Sequence, residues 1–123
     1  MSNGVSCTIV MTLGDGSVAE ALIDSGATRN FIAMHFVRTN RKNKTIMQVT
    51  KYTSDVKVTL GDGKTQVTSI GACTVSVMHQ SCTPTPVTVK CQVLNMQQTL
   101  VLGVPWLRQQ RCDGVSNATC CLE

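Results

Sequence analysis

The run Ala21-Leu22-Ile23-Asp24-Ser25-Gly26-Ala27-Thr28 ends an apolar stretch in a carboxylate, then supplies a hydroxyl and a glycine. An ionised carboxylate drawn out of water has to be paired, hydrogen-bonded or neutralised, so Asp24 asks for a partner. Asp-Ser-Gly taken alone is weak evidence and reads more readily as a loop or a helix cap than as a catalytic motif. Its context carries more: Ala-Leu-Ile precedes it, Ala-Thr follows it, and a second apolar-apolar-glycine element, Val101-Leu102-Gly103, lies far downstream.

Other reactive side chains point to less. Seven cysteines (Cys7, Cys73, Cys82, Cys91, Cys112, Cys120 and Cys121) form no Cys-x-x-Cys pair, and His35 and His79 are distant from any spaced pair. Zinc is therefore weakly supported, reduced and mostly buried thiols are expected, and no metal or cofactor is assigned. The cluster Arg38, Arg41, Lys42 and Lys44 supplies much of the +4 net charge without interleaved aromatic residues. It reads as a solvated loop, and a nucleic-acid partner is the least favoured reading. Asn43-Lys44-Thr45 and Asn117-Ala118-Thr119 match the glycosylation sequon and are taken as chance matches, since no secretory signal opens the sequence. No run approaches the roughly 20 apolar residues of a membrane helix. The expectation is a soluble, intracellular chain or a fragment of a longer one, without a membrane partner.

The elements that must position Asp24 are mostly strands. At 123 residues the chain suits one compact domain, short for a two-lobed enzyme, so a sizeable active site calls for a second subunit. A 42% hydrophobic content with only 3% aromatics, dominated by Val, Thr, Ile and Leu, favours an all-β domain. Cys7 to Leu13 and Val18 to Ile23 read as two strands joined by a Gly14-Asp15-Gly16 turn, the second ending at Asp24. Phe31 to Val37 reads as a strand, a helical turn, or one followed by the other. Val56 to Leu60 and Thr65 to Ile70 alternate around Gly61-Asp62-Gly63-Lys64, the strongest hairpin signal in the chain. Thr-Leu-Gly-Asp-Gly occurs twice, at 12–16 and 59–63, which shared turn chemistry explains. Two further strands, Cys73 to Met78 and Val87 to Leu94, are expected on either side of a Pro84 and Pro86 loop. The apolar run from Thr99 then leads to a short helix opened by Pro105 and carrying Trp106 and Leu107. The outline is seven or eight short strands and one short helix near the end, a small barrel or sandwich.

ALIDSGATRNFI (21–32), VTLGDGKTQV (58–67) and LVLGVPWLRQQ (100–110) stand in the order of three motifs of the retropepsins, the dimeric aspartic proteases of retroviruses and LTR retrotransposons. The sequence resembles that family, its gypsy-type branch most of all. The resemblance implies a closed, barrel-like acid-protease fold with one C-terminal helix, forming half of a twofold homodimer. It covers most of 5–110, giving a protease domain at 1–110 and a tail at 111–123. The implied activity is an aspartic endopeptidase that processes a retroelement polyprotein, in the cytoplasm or within virus-like particles. Asp24 would face its copy across the axis and activate a water, with Ser25 bracing the two loops and Gly26 letting the chain turn sharply. Ala27 and Thr28 would border the cleft, and the hairpin at Gly61, Asp62 and Gly63 would close over an extended peptide. Pro105, where related sequences often carry an acid or amide, and the cysteine-rich tail depart from the pattern. A domesticated module that dimerises without cleaving is the alternative.

Overall fold

A computed structural model describes residues 6–59, 64–79 and 83–111. Strand β1 (Ser6–Leu13) turns back through Gly14-Asp15-Gly16 into β2 (Val18–Asp24), pairing from Ser6 opposite Asp24 to Thr12 opposite Val18. Gly16 adopts φ 89°, which a residue with a Cβ rarely reaches. The turn is tied by Asp15, which accepts hydrogen bonds from the Ser17 backbone N–H (2.9 Å) and hydroxyl (2.5 Å). Alternation does the sorting here: Met11, Leu13, Ala19, Ala21 and Ile23 point inward and are buried, while Thr8, Val10, Val18 and Glu20 face water.

Strand β3 (Phe31–Ala33) runs directly into helix α1 (Met34–Asn40), so the segment from Phe31 to Val37 is one element followed by the other. Only the end of the basic stretch forms a loop, because Arg38 belongs to α1; Arg38, Arg41, Lys42 and Lys44 are all exposed. Strands β4 (Met47–Thr59) and β5 (Gln66–His79) form the long central hairpin, with Thr59 opposite Gln66 and an irregularity between Lys51 and Val56. Gly61, Asp62 and Gly63 lie outside the described residues.

Two sequence expectations change at this point. The runs 65–70 and 73–78 are one strand, β5, passing straight through Gly71, where a Cβ would sit 2.5 Å from the Thr50 carbonyl oxygen. That glycine serves close strand approach, not a break. Likewise β6 (Thr83–Leu94) contains Pro84 and Pro86 instead of starting after them. On its outer side β3 reaches only Gln92 to Leu94, and the pairing with β5 is irregular between Val77 and His79, so the missing proline N–H groups disrupt little.

Strand β7 (Leu100–Leu102) lies between β2, to which it is parallel, and β3, to which it is antiparallel, and leads through Gly103 into α2 (Val104–Arg111). The strand order is β1-β2-β7-β3-β6-β5-β4, and a β1–β5 pairing closes the sheet into a ring with β4 paired to β5 alone. The ring encloses one principal core that includes Met11, Ile23, Val75, Val77, Leu100 and Leu102, capped by the fully buried Trp106 of α2. Each such side chain contributes about 1.5–3 kcal/mol on burial. Among the described residues there are two helices, α1 in addition to the expected C-terminal one. Among the described residues no helix is long and apolar enough to cross a membrane.

Candidate active site

Asp24 stands at the last position of β2, where the side-chain alternation puts it on the face opposite Ile23. It is half-buried and not part of the core, which corrects the picture of a carboxylate driven into its own interior. The chain turns at once: the Ala27 N–H donates to the Asp24 carbonyl (3.1 Å), and the Gly26 N–H donates to Asp24 Oδ1 (2.9 Å). That second bond orients the carboxylate from within its own loop. Gly26 does this without a positive φ, so the turn asks less of its conformation than the sequence suggests.

The structure brings Asp24, Ser25, Gly26 and Ala27 together in this turn, with Ser25 and Gly26 half-buried and Ala27 buried, while Thr28 is exposed. Ala27 belongs to a second, smaller apolar cluster with Phe31, Val58 and Leu94, flanked by the half-buried Val67, Met96 and Val101. Val58 and Val67 face each other across the β4–β5 hairpin, so the stem of that hairpin shares an apolar cluster with Ala27 of the Asp24 loop. Leu102 is core, whereas Leu22 and Val101 are half-buried.

The loop is anchored from behind by contacts between residues that lie in separate motifs of the sequence. Asn30, 5% exposed, accepts a bond from the Gly103 N–H at Oδ1 (2.9 Å) and donates from Nδ2 to the Lys90 carbonyl (3.2 Å). Its own carbonyl accepts from the Gln92 N–H (2.9 Å), and the Ala27 carbonyl accepts from the Val104 N–H (2.8 Å). Gly103 is seated so closely that a Cβ there would overlap the Ala27 carbonyl oxygen and lie 2.6 Å from that of Arg29. Asn30 and Gly103 are 73 positions apart, and Asn30 and Lys90 are 60 apart. No short-range pattern signals such a contact; the only hint is a polar residue directly before the apolar run Phe31-Ile32-Ala33.

Of the thiols, Cys73 and Cys91 face each other in the β5–β6 ladder, both buried in the principal core. Burial pushes the Cys73 thiol up to about 11 and raises that of Cys91 as well. No group of three His, Cys, Asp or Glu able to hold a metal occurs among the described residues.

The ring-like sheet is similar to known structures. It superimposes on the EIAV protease complexed with the inhibitor HBY-793 with a TM-score of 0.57 at 12% identity, over 85% of this chain and 86% of that one. The retroviral protease-like domain of Ddi1 from Leishmania major gives 0.57 at 14% identity, over 85% and 77%. At such identities the likeness shows the fold. No curated protein matches the sequence. A family model, the PEG10/RTL1 protease domain, matches residues 20–113, a span that holds the Asp24 loop, the central hairpin, Gly103 and α2. The chain therefore belongs to the PEG10/RTL1 protease domain family, a retropepsin-like group.

Proposed function

We propose that the chain is an aspartic endopeptidase, active as a homodimer, that hydrolyses peptide bonds in a retroelement polyprotein. The observation that carries this reading is the Asp24 loop: a half-buried carboxylate at a strand end, its Oδ1 held by the Gly26 N–H, within a retropepsin-like fold. In the dimer two Asp24 carboxylates meet, and because they cannot both ionise at close range they share one proton. The ionised member takes a proton from a water, which attacks the scissile carbonyl, while the protonated member donates toward the carbonyl oxygen. Ser25 braces the opposing loop.

An extended substrate lies between the loop and the β4–β5 hairpin, with Ala27 and Thr28 at the border and Gly61, Asp62 and Gly63 closing from above. The half-buried Val67, Met96 and Val101 support apolar side chains on either side of the cut bond. The protease unit is taken as 1–110. The alternative, a domesticated module that dimerises without cleaving, shares the fold and differs in outcome. The test is cleavage of peptide libraries from acidic to neutral pH, with and without pepstatin, alongside sedimentation. Wild type should cleave as a pepstatin-sensitive dimer, and Asp24→Asn should keep the dimer and lose at least about a hundredfold in rate. A folded wild type inactive across that range would leave the non-cleaving module standing.

A further inference from the structure

Among the described residues two polar side chains are buried, Asn30 and Ser69. The Ser69 hydroxyl donates to the Gly71 carbonyl within β5 (2.9 Å) and lies 3.3 Å from Gln92 Oε1 on the neighbouring β6. Asn30 reaches the Asp24 loop's supports: one amide end accepts from the β7–α2 junction at Gly103, and the other donates to β6 at Lys90. We propose that Asn30 is a positioning residue for Asp24, fixing the height and tilt of the loop that carries the carboxylate; the inference rests on the peptidase reading above.

Four hydrogen bonds join the loop from Ala27 to Asn30 to the body of the protein behind it. Two use the Asn30 side chain, a third uses its carbonyl, and the fourth joins Ala27 to Val104. All partners on the far side are main-chain groups of β6 and of the β7–α2 junction, which pack in the ring and do not depend on a rotamer. An amide is suited to this task because it presents an acceptor and a donor from one planar group. Without it the Ala27 and Gln92 bonds remain, so the loop still forms but can shift. Two Asp24 side chains that share a proton tolerate little shift, since a displacement of about 1 Å at reacting groups costs about a hundredfold in rate.

The substitution Asn30→Asp separates positioning from mere folding. While protonated, the introduced carboxyl group presents the same pattern as the amide, accepting from Gly103 and donating O–H to the Lys90 carbonyl, whereas its ionised form turns a negative oxygen on that carbonyl. The charged groups carried by the surrounding elements are Asp24 and Arg29 on the loop, Lys90 on β6 and Arg108 and Arg111 on α2. Arg29, Lys90 and Arg108 are solvent-exposed, and Asp24 is half-buried. With no buried cation beside it among the described side chains, the new carboxyl group of Asn30→Asp should stay protonated in acid and ionise as pH rises.

The experiment measures kcat and KM from pH 4 to 8 for wild type, Asn30→Asp and Asn30→Leu, with active sites counted by pepstatin titration well below each unfolding midpoint. Asn30→Asp should match wild-type kcat within about threefold at pH 4 and fall about a hundredfold below it by pH 8, KM changing little. Asn30→Leu should be about a hundredfold down throughout. A pH profile of Asn30→Asp that superimposes on wild type, or an Asn30→Leu kcat within threefold of wild type, overturns the proposal. A wild type that cleaves nothing sinks the peptidase reading, and amide exchange then decides on Asn30 alone. Asn30→Leu should lower the protection of both the Gly103 and Gly26 amides at least about tenfold, leaving the β5–β6 ladder unchanged. Unaltered protection at Gly26, which reports the hold on Asp24, overturns it.

Discussion

Replacing Gly103 by alanine puts the packing behind the Asp24 loop to a quantitative test. The new Cβ would overlap the Ala27 carbonyl oxygen, sit 2.6 Å from the Arg29 carbonyl oxygen and 2.9 Å from the Ala27 Cβ. Reaching an ordinary contact of about 3.4 Å requires the Arg29 carbonyl to retreat by about 0.8 Å, and what must move is main chain, not the end of a flexible side chain. A retreat of that size stretches the 2.9 Å Gly103–Asn30 bond and the 2.8 Å Val104–Ala27 bond out of range. Overpacking of this kind costs about 1–3 kcal/mol and each of the two lost hydrogen bonds about 1 kcal/mol, so Gly103→Ala should lose about 3–5 kcal/mol. Trp106, the only tryptophan in the chain and fully buried, gives the signal for urea unfolding at fixed protein concentration. With a slope of about 1–3 kcal/mol per molar urea, the midpoint should fall by at least about 1 M. A variant within about 0.5 kcal/mol of wild type would refute the claim that the loop is locked by close contact at Gly103.

The remaining predictions concern other parts of the ring. Trp106 Nε1 is buried with no hydrogen-bond partner among the described residues, so Trp106→Phe should cost about 1 kcal/mol or less in thermal melts followed by circular dichroism, against about 3–5 for Trp106→Ala. A Phe variant as damaging as Ala would show that the indole N–H is satisfied after all. Cys73 and Cys91 should resist alkylation in the native state at pH 8 and react on unfolding, while the half-buried Cys7 reacts sooner. Because folding raises the Cys73 thiol from 9.0 to about 11, the unfolded chain loses that proton first, so urea midpoints should fall as pH rises from about 9 to about 11. Cys73→Ala should flatten that fall. Asp15, held low chiefly by the Ser17 hydroxyl and backbone N–H, should titrate below its ordinary 3.8 by NMR, and Ser17→Ala should return it upward.

How far the sequence discloses this structure depends on the reach of each interaction. The β1–β2 hairpin and the end of β2 at Asp24 are legible because turn residues and alternation act over a few positions. The first part of β4 is not: Gln48, Val49, Thr50 and Lys51 are all exposed, so no buried face imposes a period on them. Gly71 and the two prolines mislead for a related reason, since their usual meaning as breakers assumes an ordinary strand, whereas here one admits a close neighbour and the others lie where pairing is incomplete. At the candidate site Asp24 and Gly26 announce themselves by type and spacing. Asn30 and Gly103 acquire their relation only when the ring closes and β7 slides between β2 and β3.

The anchorage behind the loop is written almost wholly in main-chain atoms. Lys90 and Gln92 contribute a carbonyl and an N–H to it, and Val104 an N–H, none of which depends on the side chain each residue carries. Drift at 90, 92 and 104 is therefore nearly neutral for the loop, while 30 and 103 are held to an amide and a glycine. A lineage can rewrite most of this neighbourhood and keep its architecture, as long as two letters stay fixed.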